Sequence, residues 1–440
     1  MTAARRKILA MMAGLCLLSG CALTPETAAF VQTAPPSAAA TTLPPTSTSA
    51  SSPIAEEIPE LPLDLPRGGG RFAPDGVNGL SPAQAELIVQ FLTAYYEALA
   101  RLEVLDPAAF IQVESETAVA AVAQLRAVWE SVVAIRKLQS VDLSLLTYAF
   151  TLTCDDIVPQ EDGSIHVYLL EDSVQRFAAH PDTDAAQLHV RHIVSLLGTA
   201  DAPVMEDYYK QDAIYWALLG RLYQEEDAPP DGAVQLALMQ AEQNALLLEA
   251  RVNLYRLTEP RTVAPVQPYT RDYDRAAAVA YAREWVGKRN PDWFDYAEHG
   301  GNCQNFASQV LLAGGIPMDT TGSSVWKWFS DTPNQNAVAV GRSSAWTGAE
   351  AFFTYADENG GKGLAAVADA EFYTGEPGDL IALGLGDEIR HVVIVTEVVR
   401  DSDGNVVDYL IASNTTDQLD YPVSVYSYTR RRLIKIYGWN

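Results

Sequence analysis

The sequence predicts an α+β protein in which helices come first, a run of strands follows, and a second α+β unit closes the chain. Three observations support this prediction. Apolar residues recur at helical spacing from residue 81, strand-like runs lie between 143 and 196, and helix and strand patterns return after residue 273. The 440 residues are 48% hydrophobic and 20% charged, enough for two or three folded units of roughly 150 residues each.

The net charge narrows the class of partner. Lys and Arg number 30 against 56 Asp and Glu, which gives −26. Nucleic acid is disfavoured as a partner, because its phosphates would be repelled. The acidic balance fits an extracytoplasmic protein, or one that meets neutral or basic ligands.

The first 20 residues predict a secretory signal. A basic run at 5–7 precedes the apolar stretch 8–18, which is too short to span a bilayer as a mature helix. The ending Leu18-Ser19-Gly20-Cys21 resembles the lipobox of bacterial lipoproteins, which implies that Cys21 is lipidated. We therefore expect an extracytoplasmic protein, lipid-anchored to the bacterial cell membrane; the alternative is an ordinary signal peptide with an incidental cysteine.

Residues 21–79 are rich in Ala, Thr, Ser and Pro and predict a disordered tether. Such a composition buries too little apolar surface to offset the entropy of ordering.

Helices begin the first folded unit. Ser81-Pro82 is a helix N-cap followed by proline at the first helical position, and apolar residues continue at helical spacing to Leu99. Asp106-Pro107 starts a second short helix, and residues 117–138 predict a third.

Strands follow these helices. Residues 143–153 and 165–170 read as a hairpin about Asp162-Gly163, with a third strand at 186–196. The order of elements resembles that of nuclear-transport-factor-2-like (NTF2-like) domains, and the expected domain spans 80–226.

The following segment predicts a helical connector. Residues 206–225 and 233–257 have helical patterns, and prolines between 260 and 268 mark a boundary. The expected connector spans 227–268, and the expected C-terminal domain spans 269–440.

The C-terminal part contains the candidate nucleophile. Gly300-Gly301-Asn302-Cys303 is a loop that leads into an apolar helical run ending at Gly314-Gly315. The thiol of Cys303 therefore lies in the first helical turn, where free N–H groups and the helix dipole favour a thiolate. The alternative is an inert buried thiol.

The other cysteines have different expected fates. Cys16 leaves with the signal, and Cys21 carries lipid. Cys154 follows a strand beside two aspartates with no base at a recognisable spacing, so we expect a structural thiol. Because Cys154 and Cys303 lie in different predicted domains, we do not expect a disulfide between them.

A base and its orienting residue are predicted on two neighbouring strands. His391 begins the strand 389–399, and a turn at 401–405 leads to the strand 406–413, followed by Asn414. If the two strands pair antiparallel, His391 and Asn414 lie near each other, as a nucleophile–base–orienter site requires. A packing histidine and a turn asparagine are the alternatives.

Several other residues are alternative candidates for the roles in this site. His299 is a rival base, and Asp417 is a rival orienting residue. The backbone N–H of Cys303 is the expected oxyanion donor, with Gln304 or Asn305 as candidates for the second.

No metal or cofactor is expected from this sequence. Residues His189 and His192 are three apart on a predicted strand and face opposite sides of it, with His180 nearby.

A set of ordered motifs in the C-terminal part carries a family resemblance. They are Ala278-Val279-Ala280-Tyr281-Ala282, Gly300-Gly301-Asn302-Cys303-Gln304-Asn305-Phe306-Ala307-Ser308-Gln309, Gly314-Gly315-Ile316-Pro317-Met318, Ser344-Ala345-Trp346, Pro377-Gly378-Asp379-Leu380-Ile381 and His391-Val392-Val393-Ile394-Val395-Thr396. Together they resemble the bacterial "Putative amidase domain" family, a relative of the cell-wall hydrolases. The resemblance implies a papain-like (NlpC/P60-like) domain and an amide hydrolase. That family usually has Asp before the cysteine, where this chain has Asn302.

The expected function is hydrolysis of amide bonds in cell-wall peptides through a thioester on Cys303. Two alternatives remain: a surface binding module with an unused site, and an acyltransferase that uses the same residues.

Overall fold

A computed structural model describes most of the chain, and the predicted signal, Cys21 and most of the predicted tether lie outside the described residues. The described residues are 68–113, 116–214, 218, 232–260, 266–321, 325–330, 341–360 and 362–440. The protein is of the mixed α+β class, with one large sheet.

Twelve strands form a single sheet within the described residues. They are β1 (Gly70–Phe72), β2 (Leu145–Pro159), β3 (Ile165–Phe177), β4 (Ala185–Thr199), β5 (Ala202–Lys210), β6 (Arg271–Asp272), β7 (Leu364–Ala370), β8 (Leu380–Leu385), β9 (Glu388–Arg400), β10 (Val406–Ser413), β11 (Asp417–Pro422) and β12 (Arg430–Trp439).

Seven α-helices lie on this sheet or beside it, counted over the same residues. They are α1 (Pro82–Ala100), α2 (Glu116–Leu138), α3 (Gly232–Leu257), α4 (Arg275–Trp285), α5 (Cys303–Ala313), α6 (Ser344–Thr347) and α7 (Ala349–Glu358).

The two halves of the sheet meet edge to edge. The strand order is β1-β2-β3-β4-β11-β10-β9-β8-β12-β6, with β5 on β4 and β7 on β12. The junction is the antiparallel pair β4–β11, in which Asp417 lies opposite Leu188 and Leu419 lies opposite Ala186. The predicted domain boundaries stay predictions, but the segments they separate share one sheet.

The N-terminal start of α1 is confirmed. The Ser81 backbone N–H donates to Gln84 Oε1 at 2.9 Å, and the Gln84 N–H donates to Ser81 Oγ at 3.2 Å. This reciprocal capping satisfies two N–H groups that the helix cannot pair internally. Pro82 occupies the first turn, where no N–H is needed.

Two hydrophobic cores lie on opposite faces of the sheet. Along β9, Val393 and Val395 pack into the core shared with α1 and α2, while Val392 and Ile394 pack into the core beneath α5. This alternation follows from the two-residue period of a strand. The C-terminal strands therefore contribute to the core of the N-terminal half.

One described helix segment, Ala118–Leu138, is long and apolar enough to cross a membrane by length and composition. Its residues are mostly buried inside the protein, as in the core helix of a folded domain.

The structure differs from the sequence prediction in two segments. Residues 70–72, predicted as tether, form β1 parallel to β2, where a Cβ on residue 70 would lie 2.0 Å from the Phe150 ring. Glycine permits this close approach. Residues 206–210, predicted as helix, belong to β5, because pairing along β4 overrides the local pattern.

A buried ionic cluster lies inside the N-terminal half. The Tyr96 hydroxyl donates to Glu171 Oε1, and His192 Nε2 lies 3.3 Å from Glu171 Oε2. Burial raises the pKa of Glu171, but the charge of Lys210 and the neighbouring His192 lower it to about 2. The carboxylate is therefore ionised and serves as the counter-ion of Lys210.

We predict that Glu171→Gln destabilises the protein by about 3 kcal/mol, because it leaves the half-buried Lys210 charge without its counter-ion. Denaturant unfolding at pH 7 measures this. Glu103→Gln, which breaks the exposed Arg101–Glu103 pair, is the matched control and should change stability little. Equal effects of the two substitutions would contradict the assigned role of Glu171.

Candidate active site

Cys303 lies where the sequence predicts, at the first residue of α5. Gly300 and Gly301 precede it with φ of 103° and 111°, a left-handed conformation that glycine adopts without strain. The Cys303 side chain is almost fully buried, with 8% relative exposure for the residue.

Two opposing effects act on the Cys303 thiol. Burial raises its pKa, and backbone hydrogen bonds from Val392, Gln304 and Cys303 itself lower it. Burial is the larger effect, so the pKa is raised. The expected thiolate is therefore not the resting form of this closed site, because desolvation outweighs the helix terminus.

His391 lies on β9, as predicted, and is the residue before Val392. It is 6% exposed and packs against two aromatic rings, Tyr426 at 5.8 Å and Tyr428 at 6.0 Å between ring centroids. Burial lowers the pKa of His391 to about 4, so the ring is neutral at pH 7. Cysteine and histidine thus rest as a neutral pair.

Ser413 is the hydrogen-bond partner of the His391 ring, which sequence reasoning missed. Its Oγ lies 2.9 Å from His391 Nε2. The β9–β10 pairing, in which Ala412 lies opposite Ile394, brings the last residue of β10 alongside His391. The predicted strands and the turn between them are confirmed.

A chain of hydrogen bonds determines which nitrogen of His391 carries the proton. The Ser413 hydroxyl donates to the Asn414 carbonyl oxygen at 3.5 Å. With its own hydrogen directed there, Ser413 Oγ accepts from His391 Nε2–H. The lone pair of a neutral ring is then on Nδ1, which can act as a base.

Cys303 and His391 share two neighbours. The backbone N–H of Val392, adjacent to His391, lowers the pKa of the Cys303 thiol, and the Tyr426 phenol, which is affected by the Cys303 charge, has its ring 5.8 Å from the His391 ring. The sequence could have predicted the role of Val392, because this residue directly follows the predicted base His391.

Asn414 occupies a different place from the one predicted for it. Its Oδ1 accepts from Asn302 Nδ2 at 3.1 Å, and both side chains are buried. The role predicted for Asn414 on the imidazole stays a prediction, because the described contact of the ring nitrogen is with Ser413.

Asn302 is the centre of a hydrogen-bond network with a defined orientation. Trp346 Nε1–H donates to Asn305 Oδ1 at 2.8 Å, so Asn305 Nδ2 is the end that donates to Asn302 Oδ1 at 2.8 Å. The Tyr296 N–H also donates to Asn302 Oδ1 at 3.0 Å. Asn302 Nδ2 therefore faces Asn414, and this network holds the start of α5 against the end of β10.

The two oxyanion candidates have different surroundings. The Asn305 side chain is committed to the network through both its oxygen and its nitrogen. Gln304 Nε2 donates to Ser308 Oγ at 3.1 Å, while Gln304 Oε1 is buried without a hydrogen-bond partner among the described residues. Neither side chain therefore offers a free donor in this state.

The rival residues lie elsewhere. Asp417 binds Arg289 and His189 Nδ1, each at 3.2 Å, rather than His391. His299 is exposed and stacks on Phe294 at 5.5 Å.

Cys154 is a buried free thiol, like Cys303. Burial, together with Asp155 and Asp156, raises its pKa to about 11.

The three histidines of the N-terminal half, His180, His189 and His192, pair with separate carboxylates. His180 pairs with Asp408, His189 with Asp417 and His192 with Glu171. In the part of the chain that the structure describes, no group of three His, Cys, Asp or Glu side chains could hold a metal ion.

The C-terminal part, which contains the helix start with Cys303 and the strand with His391, also matches a known family model. Residues 272–437 match the family model described as "Putative amidase domain". This match indicates a hydrolase acting on amides.

A second comparison finds an uncharacterized relative. The chain is 36% identical over 139 residues to the uncharacterized protein YhbB of Bacillus subtilis strain 168. The aligned part covers 30% of this chain and 39% of that protein. No solved structure matches the chain.

We predict a pH-dependent stability that depends on His391. Its folded-state pKa of about 4 lies below the unfolded value of about 6.5. The unfolded chain therefore binds the proton first, and up to about 3 kcal/mol of stability is lost as pH falls from 6.5 to 4. Denaturant unfolding at several pH values between 7 and 4 measures the loss.

The contribution of His391 is isolated by comparing variants. His391→Gln should flatten the decline over this pH window, whereas His299→Gln, at the exposed site, should leave it unchanged. A decline as steep in His391→Gln as in the parent protein would show that His391 is not held neutral by burial.

Proposed function

We propose that this protein is a cysteine hydrolase that cleaves amide bonds. One observation carries the proposal: the Cys303 thiol, at the start of α5, has its pKa lowered by the backbone N–H of Val392, the residue directly after His391. The candidate nucleophile on α5 and the candidate base on β9 therefore come from two elements that approach each other at Val392. The family match over 272–437 supports the same reaction class.

The proposed reaction begins from the neutral pair. As the thiol attacks the amide carbonyl carbon, its proton passes to His391 Nδ1 and a C–S bond forms. The carbonyl oxygen becomes an oxyanion, and the backbone N–H of Cys303 is the donor we assign to it. The imidazolium protonates the leaving amine, the C–N bond breaks, and a thioester remains.

Water then completes the cycle. His391 Nδ1 takes a proton from the water, which attacks the thioester carbonyl. The C–S bond breaks, the carboxylic acid leaves, and the thiol regains its proton. A buried neutral pair becomes an ion pair only during reaction, so the surrounding N–H groups matter most in the transition state.

Ser413 is the positioning residue in this scheme. By accepting from Nε2–H, it stabilises the imidazolium and leaves the lone pair of the neutral ring on Nδ1, the nitrogen assigned here as the base. Asn414 acts through Asn302 on the start of α5, which positions the nucleophile rather than the base.

The cellular setting is part of the proposal. The basic and apolar N-terminus, the Leu-Ser-Gly-Cys sequence and the acidic charge support export and lipid anchoring at Cys21. A papain-like domain held by a tether outside the membrane would have cell-wall peptides as its nearest amide substrates. The N-terminal half, with its helices before strands, fits an NTF2-like unit.

A binding module is the second candidate function. The near-complete burial of both Cys303 and His391 favours it, because a closed site is expected of a domain that does not turn over substrate. Acyl transfer to an amine would use the same residues, with the amine in place of water.

Cys303→Ala separates the enzyme from the binding module. We expect this substitution to lower the rate of hydrolysis of purified muropeptides by at least about 1000-fold, because no nucleophile remains. Cys154→Ala, the second buried thiol, should retain activity. Release of new amines, followed by chromatography, is the measurement. Hydrolysis that survives Cys303→Ala would refute the nucleophile assignment.

Ser413→Ala tests the positioning of the base. We expect kcat to fall about 10- to 100-fold with KM little changed, since a hydrogen bond to the charged imidazole is lost. Ser427→Ala, a buried serine of the neighbouring loop, is the matched control. Partial recovery in Ser413→Asn is expected, because its amide oxygen can accept from Nε2–H. An unchanged kcat in Ser413→Ala would show that Ser413 does not position the base.

A further inference from the structure

The outer face of α3 carries a row of exposed apolar side chains. Leu248 and Tyr255 are 63% and 68% exposed, and Leu238 and Val252 are also exposed. Two exposed alanines, Ala241 and Ala245, lie between them on the same face. This row, named the α3 seam below, consists of Leu238, Ala241, Ala245, Leu248, Val252 and Tyr255.

The inner face of α3 is apolar as well. Met239, Leu246, Ala250 and Leu257 are buried against the rest of the protein. A helix that is hydrophobic on both sides is normally covered on both sides. Contiguous exposed apolar patches mark interaction sites on soluble proteins. The α3 seam therefore has the character of an interaction surface.

The spacing of the α3 seam fits a second helix. Its residues follow one another at alternating intervals of three and four. This is the pattern of the a and d positions of a coiled coil, whose side chains insert between those of the facing helix. From 238 to 255 the seam is about 27 Å long, at 1.5 Å per residue.

The α3 seam is complementary to itself in the antiparallel direction. Antiparallel pairing places a positions opposite d positions, so Ala241 faces Val252 of the second copy and Ala245 faces Leu248 of the second copy. Each alanine then lies opposite a larger side chain, which fills every layer evenly. A parallel pair would place alanine on alanine in two layers and leave gaps there.

The charges beside the α3 seam favour the same direction. In a parallel pair, the exposed Arg251 would face Arg256 of the second copy at the flanking g and e positions, and the two charges would repel. In the antiparallel pair, Arg251 faces Asn244 of the second copy. The asparagine amide oxygen can accept a hydrogen bond from the guanidinium.

The other flank of the α3 seam carries Glu249, which would face Glu242 of the second copy. The Glu249 carboxylate turns inward, however. Its Oε1 accepts from the Gly386 N–H at 2.7 Å and from Thr429 Oγ1 at 2.5 Å. Its charge is therefore directed away from the second copy.

We propose that this protein forms a homodimer in which the α3 helices of two copies pair antiparallel along the α3 seam. A two-fold axis between positions 246 and 247 relates the copies, so the same surface serves on both sides of the contact. The dimer does not depend on the proposed hydrolysis, and the two proposals are tested separately.

Sedimentation velocity of the full chain in detergent tests the dimer. We expect the parent to be dimeric. Leu248→Glu should weaken association by at least about 100-fold, because it buries an unpaired carboxylate in the α3 seam. Leu146→Glu is the matched control, since Leu146 is a 51% exposed leucine on β2, and it should leave association unchanged.

A monomeric parent, or an undiminished dimer in Leu248→Glu, would overturn the inference. If Leu248→Glu does not fold, Val252→Lys takes its place with the same two outcomes.

Cysteine cross-linking tests the direction of the pair. Chains with Ala245→Cys are mixed with chains with Leu248→Cys and oxidised, and peptide mass spectrometry identifies the bonded residues. We expect a disulfide between the two variants in at least about five-fold excess over a mixture of Gln240→Cys and Leu248→Cys, because only facing positions reach disulfide distance. Gln240 is exposed on the same helix outside the α3 seam.

Two results would overturn the antiparallel pairing. One is a yield no higher than that of the Gln240→Cys mixture. The other is preferential bonding of each variant to itself, which is the pattern of a parallel pair.

Discussion

The antiparallel pairing of β4 with β11 is the interaction on which the rest of the structure depends. It joins two halves into one sheet and brings the last turn of α2 beside the loop after β11. The turn before β11 is part of the same arrangement, since Thr415 Oγ1 accepts the Asn302 N–H at 2.5 Å. A strand edge at the junction therefore also positions the start of α5, where Cys303 lies.

Desolvation sets the charge state of the two candidate site residues, Cys303 and His391. It raises the pKa of Cys303 and lowers that of His391, so the pair is neutral when the site is closed. Glu171 is buried as deeply, yet it stays ionised because Lys210 and His192 compensate for burial. Whether a buried group keeps its charge therefore depends on its charged and hydrogen-bonding neighbours, and not only on how deeply it is buried.

Asn302 shows how a neutral side chain can serve where the resembling family has an acid. Its oxygen accepts from Tyr296 and Asn305, as a carboxylate oxygen could, while its nitrogen donates to Asn414. An aspartate at position 302 has no N–H to donate, so the Asn414 amide would have to flip to direct its NH2 group at the carboxylate. The aspartate would also add a negative charge beside the thiol. The asparagine keeps the network without that charge, which would oppose thiolate formation.

The sequence by itself determined the local features of this protein: Cys303 at a helix start, His391 on a strand, the hairpin about 401–405, and the capped start of α1. Glycine pairs, helical spacing and turn residues specify these within a few positions. Only the tertiary structure decided that Ser413 contacts the imidazole and that β11 pairs with β4. These depend on contacts between residues far apart in the chain, and no local pattern encodes which strand edges meet.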